Sequence, residues 1–307
     1  MEYNPPWSPQ VQKPEIKENI LLAPYTVFKI GGPARFFCEV KDKEDLAEAF
    51  LLAKEKSLPV FVFGAGSNVL ISDEGFAGLV IKMNLVGLAA DGLKIVASTG
   101  VSMARAVNFA AENNLGGFEW GVGIPGTVGG SIFGNAGCFG GEIKDVVDSV
   151  EIFDGESFKN LRNFECGFAY RDSVFKKHLD WIIVKAALNL KKVDSAESRK
   201  KILEYSQGRV LEKTQASGNK GVQEIGAQCA GCIFRNPKAD LAAGFLIDTA
   251  GLKGKKIGEA MVSAKHANFI INTGSATARD VRALISLVKG EVQKKHGVLL
   301  EEEIRII

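Results

Sequence analysis

At 307 residues the chain is long enough for about two domains, each with a substantial core. A net charge of +2, with 24% charged and 46% hydrophobic residues, is the composition of a soluble globular protein and argues against a nucleic-acid partner or an anionic membrane surface. No apolar run approaches the ~18 residues needed to cross a bilayer, and the five cysteines (38, 138, 166, 229, 232) are mostly scattered, as suits a reducing cytoplasm.

Residues 1–20 are polar and carry Pro5, Pro6, Pro9 and Pro14, which predicts an extended arm, laid across the body by Trp7, and neither a signal peptide nor a helix. Phe36–Val40 reads as a strand. Asp42 is placed to cap a helix in which Leu46, Ala49, Phe50 and Ala53 recur at helical spacing. The apolar run Pro59–Phe63 then delivers the chain to Gly64-Ala65-Gly66-Ser67-Asn68, which completes a βαβ-like unit ending in a candidate phosphate loop. Leu79–Lys82 and Lys94–Ser98 are further strands. A second amphipathic helix presents Met103, Ala106, Val107 and Ala110 on one face and ends at Asn113, Asn114 and Gly116. The glycine-rich stretch Gly123–Gly137 reads as a loop.

Beyond it, Val146–Phe153 and Trp181–Leu190 are β-prone. Asp194–Thr214 reads as a charged helix without a clean apolar stripe, a connector near a domain boundary. The remainder predicts a smaller α/β unit. In it, Asp240–Ala250 is helical, His266–Asn272 is an apolar strand, and a long final helix opens on a Thr277–Asp280 capping box and buries Val281, Leu284, Ile285, Val288 and Val292.

The glycine stretches carry the chemistry. Glycine permits close approach and positive φ, and successive free backbone N–H groups make anion-binding concavities. Two such loops in one chain predict a pyrophosphate-bearing cofactor. Gly121–Gly126 is a literal G-x-G-x-x-G, but a dinucleotide fingerprint needs a strand before it and a helix after it. Here a helix precedes, Pro125 interrupts and more glycines follow, so that reading is rejected. No P-loop is present. Cys229-Ala230-Gly231-Cys232 lacks the second ligand pair of a zinc site, and His178, His266 and His296 are isolated, so no metal is expected. Asn236-Pro237 shortly after makes a loop the expected setting of the cysteines.

Taken together, these segments resemble one family, UDP-N-acetylenolpyruvoylglucosamine reductase. The matching runs are Thr26–Ala34, Gly64–Leu70, Gly123–Gly130, Tyr170–Ser173, Ala230–Pro237, Ala243-Gly244 with Gly251–Gly254, His266–Phe269 and Leu300–Arg305, collinear from about residue 26 to the C-terminus. The chain is similar to the shorter subclass that lacks an extra tyrosine loop.

The resemblance implies an α+β fold: an FAD-binding domain of the vanillyl-alcohol-oxidase-like type, made of two α/β subdomains (21–200, split near 83), and a C-terminal α/β substrate-binding domain (201–307) whose last residues return to the site. It implies non-covalent FAD, NADPH as hydride donor, and a UDP-sugar enolpyruvyl ether as acceptor, which becomes the lactyl ether of UDP-N-acetylmuramate. A monomer without nucleic-acid or membrane partners is expected. The alternatives are a related FAD oxidoreductase acting on another substrate, and a redox-inactive nucleotide-sugar-binding protein.

By position, Arg171 and Glu303 match the family's stabilising pair for the enolate-like charge on the substrate carboxylate, and Cys232 stands where the family commonly has a serine proton donor. A thiol, which ordinarily has a pKa of about 8.5, is a competent acid while protonated. Glu303 beside developing negative charge is useful only when protonated, so its pKa is expected to be raised by burial or by like charge from Glu301 and Glu302. Tyr170, Arg171, Asn236 and His266 match the substrate pocket. Gly64, Ala65, Gly66, Ser67 and Asn68, with Ile124, Pro125, Gly126, Thr127 and Gly130, are expected against the flavin pyrophosphate. The segment Lys213–Ala227 is longer than usual for the family. A weaker expectation is that Cys229 and Cys232 pair under oxidation.

Overall fold

The computed structural model describes residues 14–211 and 227–307. Most of the proline-rich arm, Trp7 included, and residues 212–226 of the long segment lie outside the described residues. The end of the arm, Lys17–Leu21, is an antiparallel edge strand on Pro33–Val40. In this first sheet Pro33–Val40 and Val60–Phe63 both run parallel to Phe76–Met83, which lies between them. The expected βαβ unit is therefore present, with a strand inserted at its centre.

A parallel sheet buries both faces. Here successive residues of Pro33–Val40 enter different cores. Cys38 and Val40 pack under Leu46, Ala49 and Ala53 of the helix Lys43–Glu55. Phe37 joins Phe61, Phe63 and Val80 on the other side. The helix starts where predicted, because the Asp42 carboxylate accepts the Asp45 amide at 2.7 Å.

The second sheet is antiparallel, in the order Phe158–Arg162, Val147–Phe153, Ile182–Asn189, Lys94–Ser98, Leu88–Asp91. Against it packs the helix Met103–Glu112, with Met103, Ala106, Val107 and Ala110 buried as their spacing requires. Two sequence expectations need correction in this part. The stretch after Pro125 is not all loop: Val128–Phe133 is a short helix whose N-cap Thr127 accepts the Gly130 amide at 3.3 Å. Its glycines obscured it, yet Gly129 is there for packing, since a Cβ would fall 1.7 Å from Thr99 Oγ1. What precedes the motif is a 3-10 turn, Glu119–Gly123, not a strand, so the dinucleotide fingerprint remains excluded. The charged helix, Ser195–Leu211, is docked and not a bare connector. Ser198 donates to Glu119 Oε1 at 2.5 Å, and Ile202 and Tyr205 pack on the core of the second sheet.

The third sheet runs Gln228–Cys232, Phe269–Asn272, Ala260–Val262, Lys256–Ile257. Ala243–Thr249 and Ala278–His296 pack into its core, the latter with the predicted capping box and with all five stripe residues buried. The strand expected from His266 begins only at Phe269, because the Phe269 amide closes a turn onto the His266 carbonyl. The C-x-x-C segment, expected in a loop, is the edge strand of this sheet, bulged at Gly231. Pairing with Phe269–Asn272 overrides its weak local propensity.

The N- and C-terminal parts are stitched together near the site. Asn272 Nδ2 donates to the Phe28 carbonyl at 3.1 Å, and Arg305–Ile306 pairs in parallel with Val69–Leu70, directly after the first glycine loop.

Candidate active site

Where the three sheets meet lies a cleft of about 690 Å³, within the usual range for ligand and cofactor sites. Every residue named from the sequence as a site candidate lines it.

The two glycine loops form one wall and interlock. Ser67 Oγ donates to the Pro125 carbonyl at 3.3 Å. Gly126 has φ +113°, and a Cβ there would lie 2.6 Å from Ser67 Oγ; a Cβ at Gly64 would lie 2.5 Å from Thr127 Oγ1. Loops some sixty residues apart thus approach as closely as backbone allows. Their amides differ in use. Those of Val128 and Gly129 donate to the Val101 and Thr99 carbonyls, and that of Gly130 to Thr127 Oγ1, so the start of the short helix is already satisfied. Of the residues expected against the pyrophosphate in this second loop, Gly130 has its amide engaged in this way, while the amides of Gly126 and Thr127 donate to no described residue. The amides of Ala65, Gly66, Ser67 and Asn68 donate to no described residue. A run of N–H groups without internal acceptors, lining a cleft, fits an anionic diphosphate, and the residues present therefore suit a dinucleotide cofactor.

Across the cleft, Tyr170 and Arg171 occupy a two-residue turn closed by Ala169 and Asp172, which exchange backbone hydrogen bonds at 3.0 and 3.1 Å. Arg171 holds a left-handed backbone (φ +53°), unusual for a side chain of this kind and found where the surroundings enforce it. Those surroundings are visible. Asn135 Nδ2 donates to the Ala169 carbonyl at 2.8 Å, and Lys176 Nζ to the Arg171 carbonyl at 2.5 Å. The guanidinium donates from Nη2 to the Gly137 carbonyl at 3.0 Å and pairs through Nε with Glu303 Oε1 at 3.1 Å. Two residues far apart in the sequence are thereby joined at the centre of the site.

Burial raises the Glu303 carboxyl above its ordinary value, against the opposing pull of Arg171, Lys176 and Arg235. The expected direction holds, but like charge is not its leading cause: Glu302 is paired with Lys289 at 2.9 Å, and Glu301 is exposed. Burial, reinforced by Arg235, pushes the Lys176 ammonium down. The Tyr170 phenol is raised, chiefly by burial, while its ring remains half-exposed.

Cys232 lies at the end of the edge strand, opposite Phe269. Cys229, on the same strand, is buried and does not line the cleft. Asn236 Oδ1 accepts the Ala243 amide at 3.1 Å, which leaves its NH2 as the group available to a ligand. His266 accepts the Asn268 amide at Nδ1 (3.2 Å), so the neutral ring carries its proton on Nε2, and it packs on Phe269.

Sequence reasoning passed over Lys176, Arg235, Asn268 and Arg305. Arg305 sits over the Phe61 and Phe133 rings at 4.9 and 5.8 Å, with its guanidinium pulled down by burial. Arg235, Asn268 and Arg305 lie inside the runs that carried the resemblance, but nothing in their type or spacing set them apart. With Arg171, Lys176 and Arg235 around the Glu303 carboxylate and Glu302 paired with Lys289, the cleft is suited to an anionic ligand.

An α+β chain with a loop of unengaged amides facing a cationic, thiol-bearing pocket has the features of a cofactor-dependent enzyme acting on an anionic ligand, and comparison with known proteins makes the class specific. Residues 34–157 match the FAD binding domain family, and residues 223–307 match the UDP-N-acetylenolpyruvoylglucosamine reductase C-terminal domain. The UDP-N-acetylenolpyruvoylglucosamine reductase of Caldanaerobacter subterraneus subsp. tengcongensis is 39% identical over 92% of this chain and 90% of its own length. That of Clostridium novyi is 37% identical over 97% and 94%. The crystal structure of UDP-N-acetylenolpyruvylglucosamine reductase from Thermus caldophilus superposes with a TM-score of 0.77 at 34% identity, covering 96% of this chain and 98% of that one. The chain belongs to the UDP-N-acetylenolpyruvoylglucosamine reductase family, FAD-dependent oxidoreductases of peptidoglycan precursor synthesis.

Proposed function

We propose that this chain reduces UDP-N-acetylglucosamine enolpyruvate to UDP-N-acetylmuramate with NADPH as hydride donor, as a monomer in the cytoplasm, and that Cys232 is the proton donor. The observation that carries the reading is the meeting, in one cleft, of Cys232, the Arg171–Glu303 pair and the interlocked glycine loops. Amides of the Gly64–Asn68 loop, with Ile124, Pro125, Gly126, Thr127 and Gly130 beside it, would hold FAD without a covalent bond, and the bound, reduced flavin would supply the hydride.

The chain's own residues manage the charge. A hydride added to the vinyl carbon of an enol ether conjugated with a carboxylate pushes an electron pair toward that carboxylate. Arg171, already oriented by Gly137 and Glu303, supplies positive charge where it accumulates. Burial favours the protonated form of Glu303, and in that form its O–H hydrogen-bonds the same group. The Cys232 S–H bond then breaks as its proton goes to the carbon next to the carboxylate, and solvent reprotonates the thiolate. Tyr170, Asn236 and His266 border the pocket and position the sugar nucleotide.

The test is to reduce the FAD-loaded protein anaerobically with NADPH, add UDP-N-acetylglucosamine enolpyruvate and follow the flavin absorbance. Bleaching and then rapid recovery is expected. Bleaching without recovery would assign the site to another acceptor, and no reduction by NADPH would remove the donor.

A further inference from the structure

We infer that Arg235 is a further substrate-binding residue that holds an anionic oxygen of the UDP-sugar, an inference that rests on the function proposed above. Arg235 lines the cleft, and its Nε is buried with no hydrogen-bond partner among the described residues. A buried donor on a charged group is costly to leave without an acceptor. Two neighbouring cations of the cleft, Arg171 and Lys176, are engaged within the protein. Arg171 binds Glu303 and the Gly137 carbonyl, and Lys176 binds the Arg171 carbonyl.

The backbone that bears Arg235 is pinned on both sides. Its own amide donates to the Glu301 carbonyl at 2.9 Å, and the Glu303 amide donates to the Ile233 carbonyl at 2.7 Å. Both backbone groups of Phe234 are held by the Asn268 carboxamide, at 3.0 and 2.8 Å. A guanidinium carried on so fixed a segment is preorganised, and its planar fork matches carboxylate and phosphate oxygens. Its charge is felt at both Glu303 and Lys176, which sets it beside the central ion pair. The substrate offers two groups of the required chemistry, the enolpyruvyl carboxylate and the diphosphate.

The test compares FAD-loaded wild type with Arg235→Met and Arg235→Lys. UDP-N-acetylmuramate, with a carboxylate and a diphosphate, and UDP-N-acetylglucosamine, with the diphosphate alone, are titrated against the flavin spectrum. Arg235→Met is expected to weaken UDP-N-acetylmuramate about tenfold or more, the worth of one charge-assisted hydrogen bond, and to raise KM for the enolpyruvyl substrate. A loss confined to UDP-N-acetylmuramate assigns Arg235 to the carboxylate, and an equal loss for both ligands assigns it to the diphosphate. If Arg235→Met does not retain flavin, Arg235→Lys carries the comparison, because lysine keeps the charge but lacks the buried Nε donor, and a smaller loss of the same pattern is expected. Unchanged affinities and KM in a variant with wild-type flavin content would overturn the inference. A wild-type protein that responds to neither sugar would instead remove the functional reading on which it rests.

Discussion

Asn268 is buried, and its carboxamide makes both hydrogen bonds that fix the backbone of Phe234: Oδ1 accepts the Phe234 amide at 3.0 Å and Nδ2 donates to the Phe234 carbonyl at 2.8 Å. Asn268→Ala strands two polar groups of a residue that is only 2% exposed. Each costs about 1–3 kcal/mol, so the variant should lose about 2–6 kcal/mol. A protein of this size shifts its melting temperature by about 2–4 °C per kcal/mol, so a fall of roughly 4–24 °C is expected in thermal unfolding. Turnover should fall as well, because Phe234 lies between Cys232 and Arg235, and a displacement of about 1 Å at a reacting group can cost ~100-fold.

Asn268→Asp separates geometry from size. It keeps the acceptor for the Phe234 amide but sets a carboxylate oxygen against the Phe234 carbonyl, so near neutral pH it should be less stable than Asn268→Ala. Relative to the alanine variant it should recover as the pH falls, since a protonated carboxyl donates where Nδ2 did. If both variants melt within about 1 °C of wild type, an ordinary surface-substitution effect, and turn over normally, the reasoning fails.

Cys232→Ser should retain substantial turnover, whereas Cys232→Ala should still be reduced by NADPH yet reoxidise hardly at all with the enolpyruvyl sugar; near-normal turnover of the alanine variant would remove Cys232 as proton donor. The raised Glu303 carboxyl contributes stability that is fully present below its ordinary value of 4.5 and is lost as the pH rises through the folded-state value. Glu303→Gln does not titrate, so in urea unfolding it should gain on wild type as the pH climbs from about 4.5 toward neutrality, and parallel stability curves would contradict this. Gly126→Ala must place a side chain at φ +113° with its Cβ 2.6 Å from Ser67 Oγ. Strain of about 1–3 kcal/mol should weaken FAD binding roughly 5- to 150-fold in a flavin-fluorescence titration, and an unchanged affinity would show that the interlock of the two loops does not matter to the cofactor.

The sequence by itself determined what neighbouring residues encode. The 3.6-residue recurrence of Leu46, Ala49 and Ala53, and of Val281 through Val292, placed two helices and the faces they bury, and Asp42 and Thr277 marked where those helices begin. The order of the glycine loops, Tyr170-Arg171, the Ala230–Pro237 run and the C-terminal acidic run was enough to name the family and a set of residues that line the cleft, though not Lys176, Arg235, Asn268 or Arg305. Only the tertiary structure decided which groups are spent and which are left for a ligand. It showed the Val128–Gly130 amides consumed internally, the C-x-x-C segment drawn into a sheet edge, Arg171 joined to Glu303, and Arg235 Nε buried without a partner among the described residues. The physical reason is that periodicity and capping act within a few residues along the chain. Desolvation, hydrogen-bond satisfaction and charge pairing act through space, between segments whose meeting no local pattern records.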